Sequence, residues 1–452
     1  MSTSGFTAAI LLQIVCLFPA HSADLVASWQ AARTHDAAYS AAKNALAAGM
    51  EYAAQGNAAV LPQLTLTSSA IELKTDYQPG QESGKTPSSS ALGQQYALNL
   101  LLSQPIYDSA ATVKRDEFRK QAAQAELQFR IAEQDLMLRV AKAYFEVLVA
   151  RQNLALVNSQ KEGIALQLAM AKTRFRIGSA TITDTNDAQA RYDAILANEI
   201  TTLNDLSYKS GTYRRLTGLD PEQLQPASET RQPSAPEAAD LTTWLAQAAD
   251  ASLSVKAQQL GLDIAAMEID RYRLETAPTL SLVAKYGGRI DAPGISQSGG
   301  RDMINTSSIG LQLTVPLYTG GARSSQFRQA VALREQQKDN LEAARRDAEE
   351  NTRLAFLGVT GAAAQIKALE QARISGASSV ASSKRGRDVG VRTTVDVLNA
   401  EQSYYQTLFN LVAARYQYLL SKLQLAASIG RLDESELTRV NDFLSHHADT
   451  VG

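Results

Sequence analysis

Charged residues gather at two short breaks in an otherwise helix-forming chain. The first break is Arg174-Phe-Arg-Ile-Gly-Ser-Ala-Thr-Ile-Thr-Asp184, and the second is Arg387-Asp-Val-Gly-Val-Arg-Thr-Thr-Val-Asp-Val-Leu-Asn399. In each break a glycine can take the positive φ that ends a helix, and an aspartate follows where the next helix begins. Such carboxylates cap free backbone amides and complement the helix dipole, while the arginines can form ion pairs or stay solvated. The candidate functional residues are Gly178, Asp184, Asp187, Arg387, Gly390, Arg392, Asp396 and Asn399.

Residues that could carry catalysis are few. Cys16 is the only cysteine, and the histidines are His21, His35 and the pair His446-His447. Their spacing forms no metal-ligand cluster, and no Gly-x-Ser-x-Gly nucleophile motif occurs. Gly320-Gly321 lies between a strand pattern and a helix pattern but lacks the Lys-Ser/Thr of a phosphate-binding loop. The sequence therefore predicts a protein that is not an enzyme and needs no cofactor. The formal charge of −2 gives no basic field for nucleic acid.

The N-terminus is typical of an export signal. An apolar run covers residues 6–19, and a small-residue cleavage site follows at His21-Ser-Ala23. This pattern predicts a signal peptide over residues 1–23, with Asp24 as the first mature residue; an N-terminal core helix is the alternative. After residue 23 no stretch is apolar for the eighteen or so residues that a membrane helix requires. Any passage of the mature chain through a membrane therefore has to use strands.

The second half of the chain repeats the pattern of the first. Gly178 and Gly390 are 212 positions apart, and the aspartates that begin the following helices have the same separation. Pro62 and Pro278, which each end a helix pattern, are 216 positions apart. The sequence therefore predicts an internal duplication. Its parts are a first repeat over residues 24–219, a proline-rich linker over 220–239, a second repeat over 240–432 and a flexible tail over 433–452.

After each of these prolines the hydrophobic period changes from 3.6 to 2. The alternation predicts β-hairpins over residues 62–106 and 278–317, with strands of about ten residues, the length that crosses a bilayer at a tilt. A soluble β-subdomain with one wet face is the alternative. Four strands cannot close a barrel, and open edges are not tolerated in lipid. The membrane interpretation therefore requires several protomers to pool their strands.

Long helix patterns follow both hairpins. Residues 111–176 and 323–387 contain no proline and little glycine. About 65 residues of helix span roughly 100 Å, so these helices need a partner along their sides, which predicts a coiled coil. Shorter helices return from tips at residues 177–184 and 388–396. Each repeat is therefore predicted to contain a helix, a hairpin, a long helix, a tip and a return helix.

This arrangement resembles the TolC family of outer-membrane channel proteins of Gram-negative bacteria. The resemblance is carried by Leu61-Pro62-Gln-Leu, Val315-Pro-Leu-Tyr318-Thr-Gly-Gly321 and Val389-Gly-Val-Arg-Thr-Thr-Val-Asp-Val-Leu-Asn-Ala400, and it covers residues 24–436. It implies an α+β membrane protein in which a long α-helical coiled-coil barrel joins a transmembrane β-barrel, with four strands from each protomer of a homotrimer. It also implies a location in the outer membrane, in contact with its lipid, with a large periplasmic portion.

The resemblance also implies a function. Members of the family are the exit ducts of tripartite export systems, in which a periplasmic membrane-fusion adaptor couples the duct to an inner-membrane transporter, either an ABC transporter or a proton-driven pump. The cargo is protein in type I secretion or small toxic compounds in efflux, and the duct has no catalytic activity of its own. A periplasmic coiled-coil adaptor or structural protein without a channel is the alternative, and it would be recovered as a soluble periplasmic protein.

In the family, acidic residues at the second tip ring the closed channel entrance. Asp396 matches one such aspartate, whereas Asn399 stands where a second ring is usually acidic. Asp187 occupies the equivalent position in the first tip, so the resemblance implies that acidity has moved between the halves.

The resemblance also implies a basic latch. Arg392 matches a family residue that helps to hold the tip closed, and Asp184 is among its expected partners. Arg387 stands where the family often has a tyrosine. The alternative for all of these residues is structural: the aspartates cap helices, and the arginines are solvated.

Overall fold

The computed structural model describes residues 23–77, 89–224, 240–293, 295–296 and 300–445. Most of the predicted signal peptide, most of the predicted linker and the end of the predicted tail lie outside these ranges. The helices are α1 Leu25–His35, α2 Ala37–Ala58, α3 Ser109–Arg176, α4 Ile182–Thr217, α5 Leu241–Ala251, α6 Leu253–Leu274, α7 Ala322–Asp388, α8 Thr394–Ser428 and α9 Glu434–Ser445. The strands are β1 Gln63–Tyr77, β2 Ser89–Tyr107, β3 Thr279–Asp291 and β4 Asp302–Thr314.

The single helix predicted before each hairpin is a pair of helices in the structure. α1 ends at His35 and α2 begins at Ala37, because the backbone of Asp36 is extended. The Asp36 carboxylate accepts the backbone N–H of Tyr39 at 3.1 Å, and the Arg139 guanidinium lies 2.9 Å from the same oxygen. An aspartate can therefore end one helix and cap the next inside an alanine-rich pattern. The corresponding break between α5 and α6 is at Ser252.

The four strands form one antiparallel sheet in the order β1-β2-β3-β4. β2 and β3 come from different repeats, so the centre of the sheet joins the two halves of the chain. The strands contain 15, 19, 13 and 13 residues, which is longer than the predicted ten. One row of cross-strand neighbours contains Leu64, Leu102, Ala284 and Ile309. Leu64 and Ile309 are 64% and 75% exposed, so the residues that the structure describes leave this apolar row uncovered at both ends.

The chain folds into two compact units, and both repeats contribute to each. The unit that contains the sheet consists of Ala41–Ile131 and Ala249–Ala348. Its helical part has a small apolar core in which Val255, Leu341 and Ala348 pack together. A buried Glu117 lies 3.1 Å from Arg271, which fixes α3 against α6.

The second unit is helical and contains both tips. It consists of Met1–Ser40, Ala132–Ala248 and Glu349–Gly452. The core side of α3 carries a stripe of fully buried side chains at four-residue spacing, namely Leu136, Val140, Tyr144 and Leu148. Burial of one such leucine stabilises the fold by about 1.5–3 kcal/mol. Nearer the tips, Val157 and Ile164 of α3 pack with Ile195 of α4 and Leu398 of α8.

Residues predicted as the start of a flexible tail form α9. Leu437, Val440 and Leu444 are buried, and their spacing places them on one face of a helix. Asn441 accepts the backbone N–H of Leu25 at 3.1 Å and donates to the Asp24 carboxylate at 3.0 Å. Because this segment contains many polar residues, its apolar helical face was not recognised from the sequence. Within the described ranges, no helix is long and apolar enough to cross a membrane.

Candidate functional site

The first tip joins α3 to α4 through a left-handed glycine. Gly178 has φ 76°, its N–H donates to the carbonyl of Phe175 at 2.9 Å, and the N–H of Ser179 donates to the carbonyl of Arg174 at 2.9 Å. These bonds satisfy carbonyls at the end of α3. Thr181 and Asp184 then form a capping box: the Thr181 hydroxyl accepts the Asp184 N–H at 3.1 Å, and the carboxylate accepts the Thr181 N–H at 3.0 Å.

The second tip repeats this geometry between α7 and α8. Gly390 has φ 83°, and the N–H of Val391 donates to the carbonyl of Gly386 at 2.9 Å. The Asp396 N–H donates to the Thr393 hydroxyl at 3.1 Å, and the Asp396 carboxylate accepts the Thr393 N–H at 2.8 Å. The Thr393 hydroxyl also donates to the Asp396 carboxylate at 2.9 Å. The backbone N–H of Thr393, and after it this hydroxyl, hold the pKa of Asp396 below its ordinary value. Both aspartates therefore cap helices, and Asp396 is ionised at neutral pH.

Arg392, in the turn before α8, lies beside the Asp396 carboxylate. Its Nη1 is 3.9 Å from Oδ1 of Asp396, and both side chains are well exposed. A pair with this exposure contributes little to stability. Arg392 and Asp184, its expected partner, line the same groove between the two tips, but the bonds formed by Asp184 are those of the capping box.

Two contacts join the tips directly. Nη2 of Arg174, on α3, lies 3.6 Å from Oδ1 of Asp388, at the end of α7. Arg387 donates to Oε1 of Gln167, on α3, and also to Asp388 at 3.0 Å. The Arg387 side chain is only 8% exposed, and Gln167 is buried. Arg387 is therefore not a solvated arginine: it connects α7 to α3.

Asn399, on α8, accepts a hydrogen bond from a basic residue of the other return helix, α4. Nη2 of Arg191, on α4, donates to Oδ1 of Asn399 at 2.6 Å, and Nη1 of Arg191 donates to Oε1 of Gln402. Asp187 is exposed on α4, and its carboxylate has no ion-pair partner among the described residues. The first tip therefore has the exposed carboxylate of Asp187, whereas α8 has the neutral Asn399 where a second acid was expected.

Sequence reasoning missed five residues that join the helices at the tips. Only one of them had a readable signal. Asp184, Asp187 and Arg191 have the spacing i, i+3 and i+7, so they follow one helical face, and the pattern could have been extended by one turn. The others are recognised only when the helices are in place. The missed residues are Gln167, Arg174, Arg191, Asp388 and Gln402.

Solved structures share this fold over nearly the whole chain. The outer membrane protein VceC of Vibrio cholerae aligns with a TM-score of 0.74 at 19% identity, over 90% of this chain and 96% of that chain. The CmeC outer membrane channel of Campylobacter jejuni aligns with a TM-score of 0.73 at 16% identity, over 93% of this chain and 90% of that chain. The fold is therefore that of outer-membrane channel proteins.

The family model described as "Outer membrane efflux protein" matches residues 29–219 and 244–431, and the chain belongs to this family. "Outer membrane protein TolC" of Vibrio cholerae is 33% identical over 394 residues, which is 87% of each chain. "Alkaline protease secretion protein AprF" of Pseudomonas aeruginosa is 30% identical, over 92% of this chain and 86% of that protein. "Proteases secretion protein PrtF" of Dickeya chrysanthemi is 28% identical, over 96% of this chain and 94% of that protein.

These comparisons confirm that the chain resembles the TolC family. They also confirm the predicted fold class and the predicted location in the outer membrane with a periplasmic portion. The chain is an outer-membrane exit duct for efflux and secretion, and the alternative of a periplasmic adaptor is excluded. The family is one of channel and transport proteins.

Proposed function

We propose that this exit duct works in a tripartite export system, receiving cargo from an inner-membrane transporter through a periplasmic membrane-fusion adaptor. The observation that carries the proposal is the match over nearly the full chain to relatives whose names include secretion. The family description supports efflux of small toxic compounds as the second cargo class. The transporter, either an ABC protein or a proton-driven pump, supplies the energy, and the duct contributes a path without catalysis.

The sheet supports assembly as a homotrimer in outer-membrane lipid. Among the described residues, β1 pairs with β2 only and β4 pairs with β3 only, so each has a free edge. Unpaired strand edges are not tolerated in hydrocarbon, and four strands are too few to close a barrel. Edge pairing between three copies gives twelve strands, and the exposed apolar row through Leu64 and Ile309 would then face lipid.

The tips support a gate at the periplasmic entrance. Asp396 is charged at neutral pH, half-exposed and fixed by its capping box, so copies of it around an axis would form a stable ring of carboxylates. Arg392 lies within reach of the same carboxylate and moderates its charge. Asp187 places an exposed carboxylate on α4, whereas α8 has the neutral Asn399 where the resemblance leads us to expect a second carboxylate.

The tips also support docking of the adaptor. Three apolar side chains next to the turn glycines are exposed, namely Ile177, Val389 and Val391 at 72%, 74% and 76%. Apolar residues that project from adjacent turns are typical of a protein interface. A periplasmic hairpin that covers them would bind without using the charged residues of the gate.

Planar bilayer recording tests the gate. Asp396→Ala should reduce the cation preference of the channel, because it removes the charge of the proposed ring, and Arg392→Ser should increase it. Asp347→Ala provides a control, since it removes an exposed aspartate of α7 outside the tips. Unchanged conductance and ion preference in both tip variants would refute a gate at this position.

The oligomeric state of the wild-type chain recovered from the outer membrane tests the proposed assembly. A trimer is expected, and a monomer would contradict the proposal.

A further inference from the structure

We infer that Arg191 is a positioning residue that clamps α4 to α8 and keeps the entrance closed, with the neutral amides of Asn399 and Gln402 as its acceptors. The inference rests on the proposed gate, because a clamp between return helices affects transport only if these helices move. It assigns a role to Asn399, where the TolC resemblance leads one to expect a second acid.

The geometry fits an arginine. Nη2 donates to Asn399 at 2.6 Å and Nη1 donates to Gln402, so two nitrogens of one planar group bind two acceptors. Asn399 and Gln402 are three residues apart on α8 and therefore lie on the same face. A guanidinium presents its donors in a fixed fork, whereas a lysine ammonium is a single point charge and cannot reproduce this fork.

The clamp lies next to a buried apolar contact between α4 and α8. Arg191 is one helical turn from Ile195, and Asn399 follows Leu398, and these two apolar residues pack together in the buried cluster of α3, α4 and α8. Arg191 and Leu398 line the same groove. Separation of α4 from α8 must therefore break the clamp as well as this apolar contact.

Ion pairs hold each helical hairpin together, whereas neutral acceptors link the two hairpins at their return helices. Nζ of Lys161 lies 2.6 Å from Glu199, which joins α3 to α4. Nζ of Lys384 lies 2.7 Å from Glu401, which joins α7 to α8. The two acceptors of Arg191 on α8 are neutral amides, so the strength of these bonds depends less on salt than that of an ion pair. The hairpins are thus internally fixed, and the clamp joins their return helices in addition to the Arg174 and Arg387 contacts between α3 and α7.

Single-channel recording of the full chain, reconstituted in planar bilayers, tests the clamp. Arg191→Gln should raise the ratio of open to closed dwell times about fivefold or more, since a hydrogen bond to a charged group is lost. Arg191→Lys should lie between this variant and wild type, because it keeps the charge without the fork. Arg215→Gln is the matched control, since it removes an exposed arginine from the same helix.

Asn399→Asp provides a test that a general loss of packing could not imitate. It converts the clamp into an ion pair, so the closed state should become more favoured and, unlike in wild type, this closure should weaken as salt is raised. In the double variant Arg191→Gln, Asn399→Asp this stabilisation should disappear. Equal dwell times for Arg191→Gln, Arg215→Gln and wild type would overturn the inference, as would closure by Asn399→Asp that persists without Arg191.

The two levels of the proposal fail in different ways. A wild-type chain that forms no channel in the bilayer contradicts the proposed gate. A wild-type channel whose closing is unaffected by Arg191→Gln, while Asp396→Ala alters its ion preference, contradicts the clamp alone.

Discussion

Replacing Arg387 with leucine breaks the best-buried contact between the two tips. The Arg387 side chain is 8% exposed and its acceptor, Gln167, is 4% exposed, so water cannot easily replace the lost bond. Leucine fills much of the space without donating a hydrogen bond. The variant therefore isolates the polar contribution of a contact between α3 and α7.

The expected magnitude follows from the two bonds that Arg387 forms. A hydrogen bond from a charged group to a buried acceptor contributes about 1.5–3 kcal/mol. The second bond, to the 58% exposed Asp388, joins adjacent residues of α7 and is kept when the tips separate, so it adds nothing to this ratio. A loss of about 2–3 kcal/mol corresponds to a shift of about 30- to 140-fold in the ratio of closed to open channels, since 1.4 kcal/mol is tenfold.

Dwell times in planar bilayers measure this ratio, and a double-mutant cycle assigns it to the contact. Gln167→Leu removes the acceptor, and the double variant replaces both partners by apolar groups, which is nearly neutral. The double variant should therefore close better than Arg387→Leu alone. Arg385→Leu is the control, because Arg385 is exposed in the same last turn of α7. Additive effects of the two single variants, or an equal effect of Arg385→Leu, would refute the reasoning.

Two further predictions concern stability. Hydrogen bonds from Thr393 lower the pKa of Asp396, so the first turn of α8 keeps this stabilisation above the unfolded pKa of about 3.9 and loses it as the pH falls through the lower folded pKa. The hydrogen-exchange protection factors of the amides in the first turn of α8 should thus fall only in strong acid. The Asp396→Asn variant should not show this acid-dependent fall. Loss of protection already near neutral pH would contradict the prediction. Glu117→Leu should lower the free energy of unfolding by about 1.5–3 kcal/mol, because it removes the buried acceptor of Arg271, which keeps its pair with Glu268, whereas Glu126→Leu breaks an exposed pair with Arg130 and should cost less than about 1 kcal/mol. Thermal unfolding of the two variants measures the difference, and equal shifts in Tm would refute it.

Local chemistry made much of the fold predictable from the sequence. Gly178 and Gly390 are in the left-handed conformation that their position after a long helix pattern predicts. The change of period after Pro62 and Pro278 marks the start of β1 and β3. These features depend on a few neighbouring residues, and the duplication supports each one with a second copy.

The remaining features depend on contacts between distant residues. Asp36 breaks the first helix with help from Arg139, which is 103 positions away. The clamp joins Arg191 to Asn399 across 208 positions, and its formation depends on the rotation of two helices about their axes. A hydrophobic pattern specifies which face of a helix is buried but not which polar residues of two helices meet at its margin. The resemblance therefore points to residues at the two turns, whereas the partners Gln167 and Arg191 are recognised only once the helices are packed.

The central ladder of the sheet also determines the order in which the protein can mature. Gln95 of β2 pairs with Asp291 of β3, and the two residues are 196 positions apart. The first hairpin is complete long before its neighbour has been synthesised and exported, so β2 has a free edge during that interval. A chain that stops before Thr279 never acquires the strand that covers it. Unpaired edges promote aggregation, so the part of the chain between the hairpins has to cross the inner membrane while the first hairpin is still unprotected.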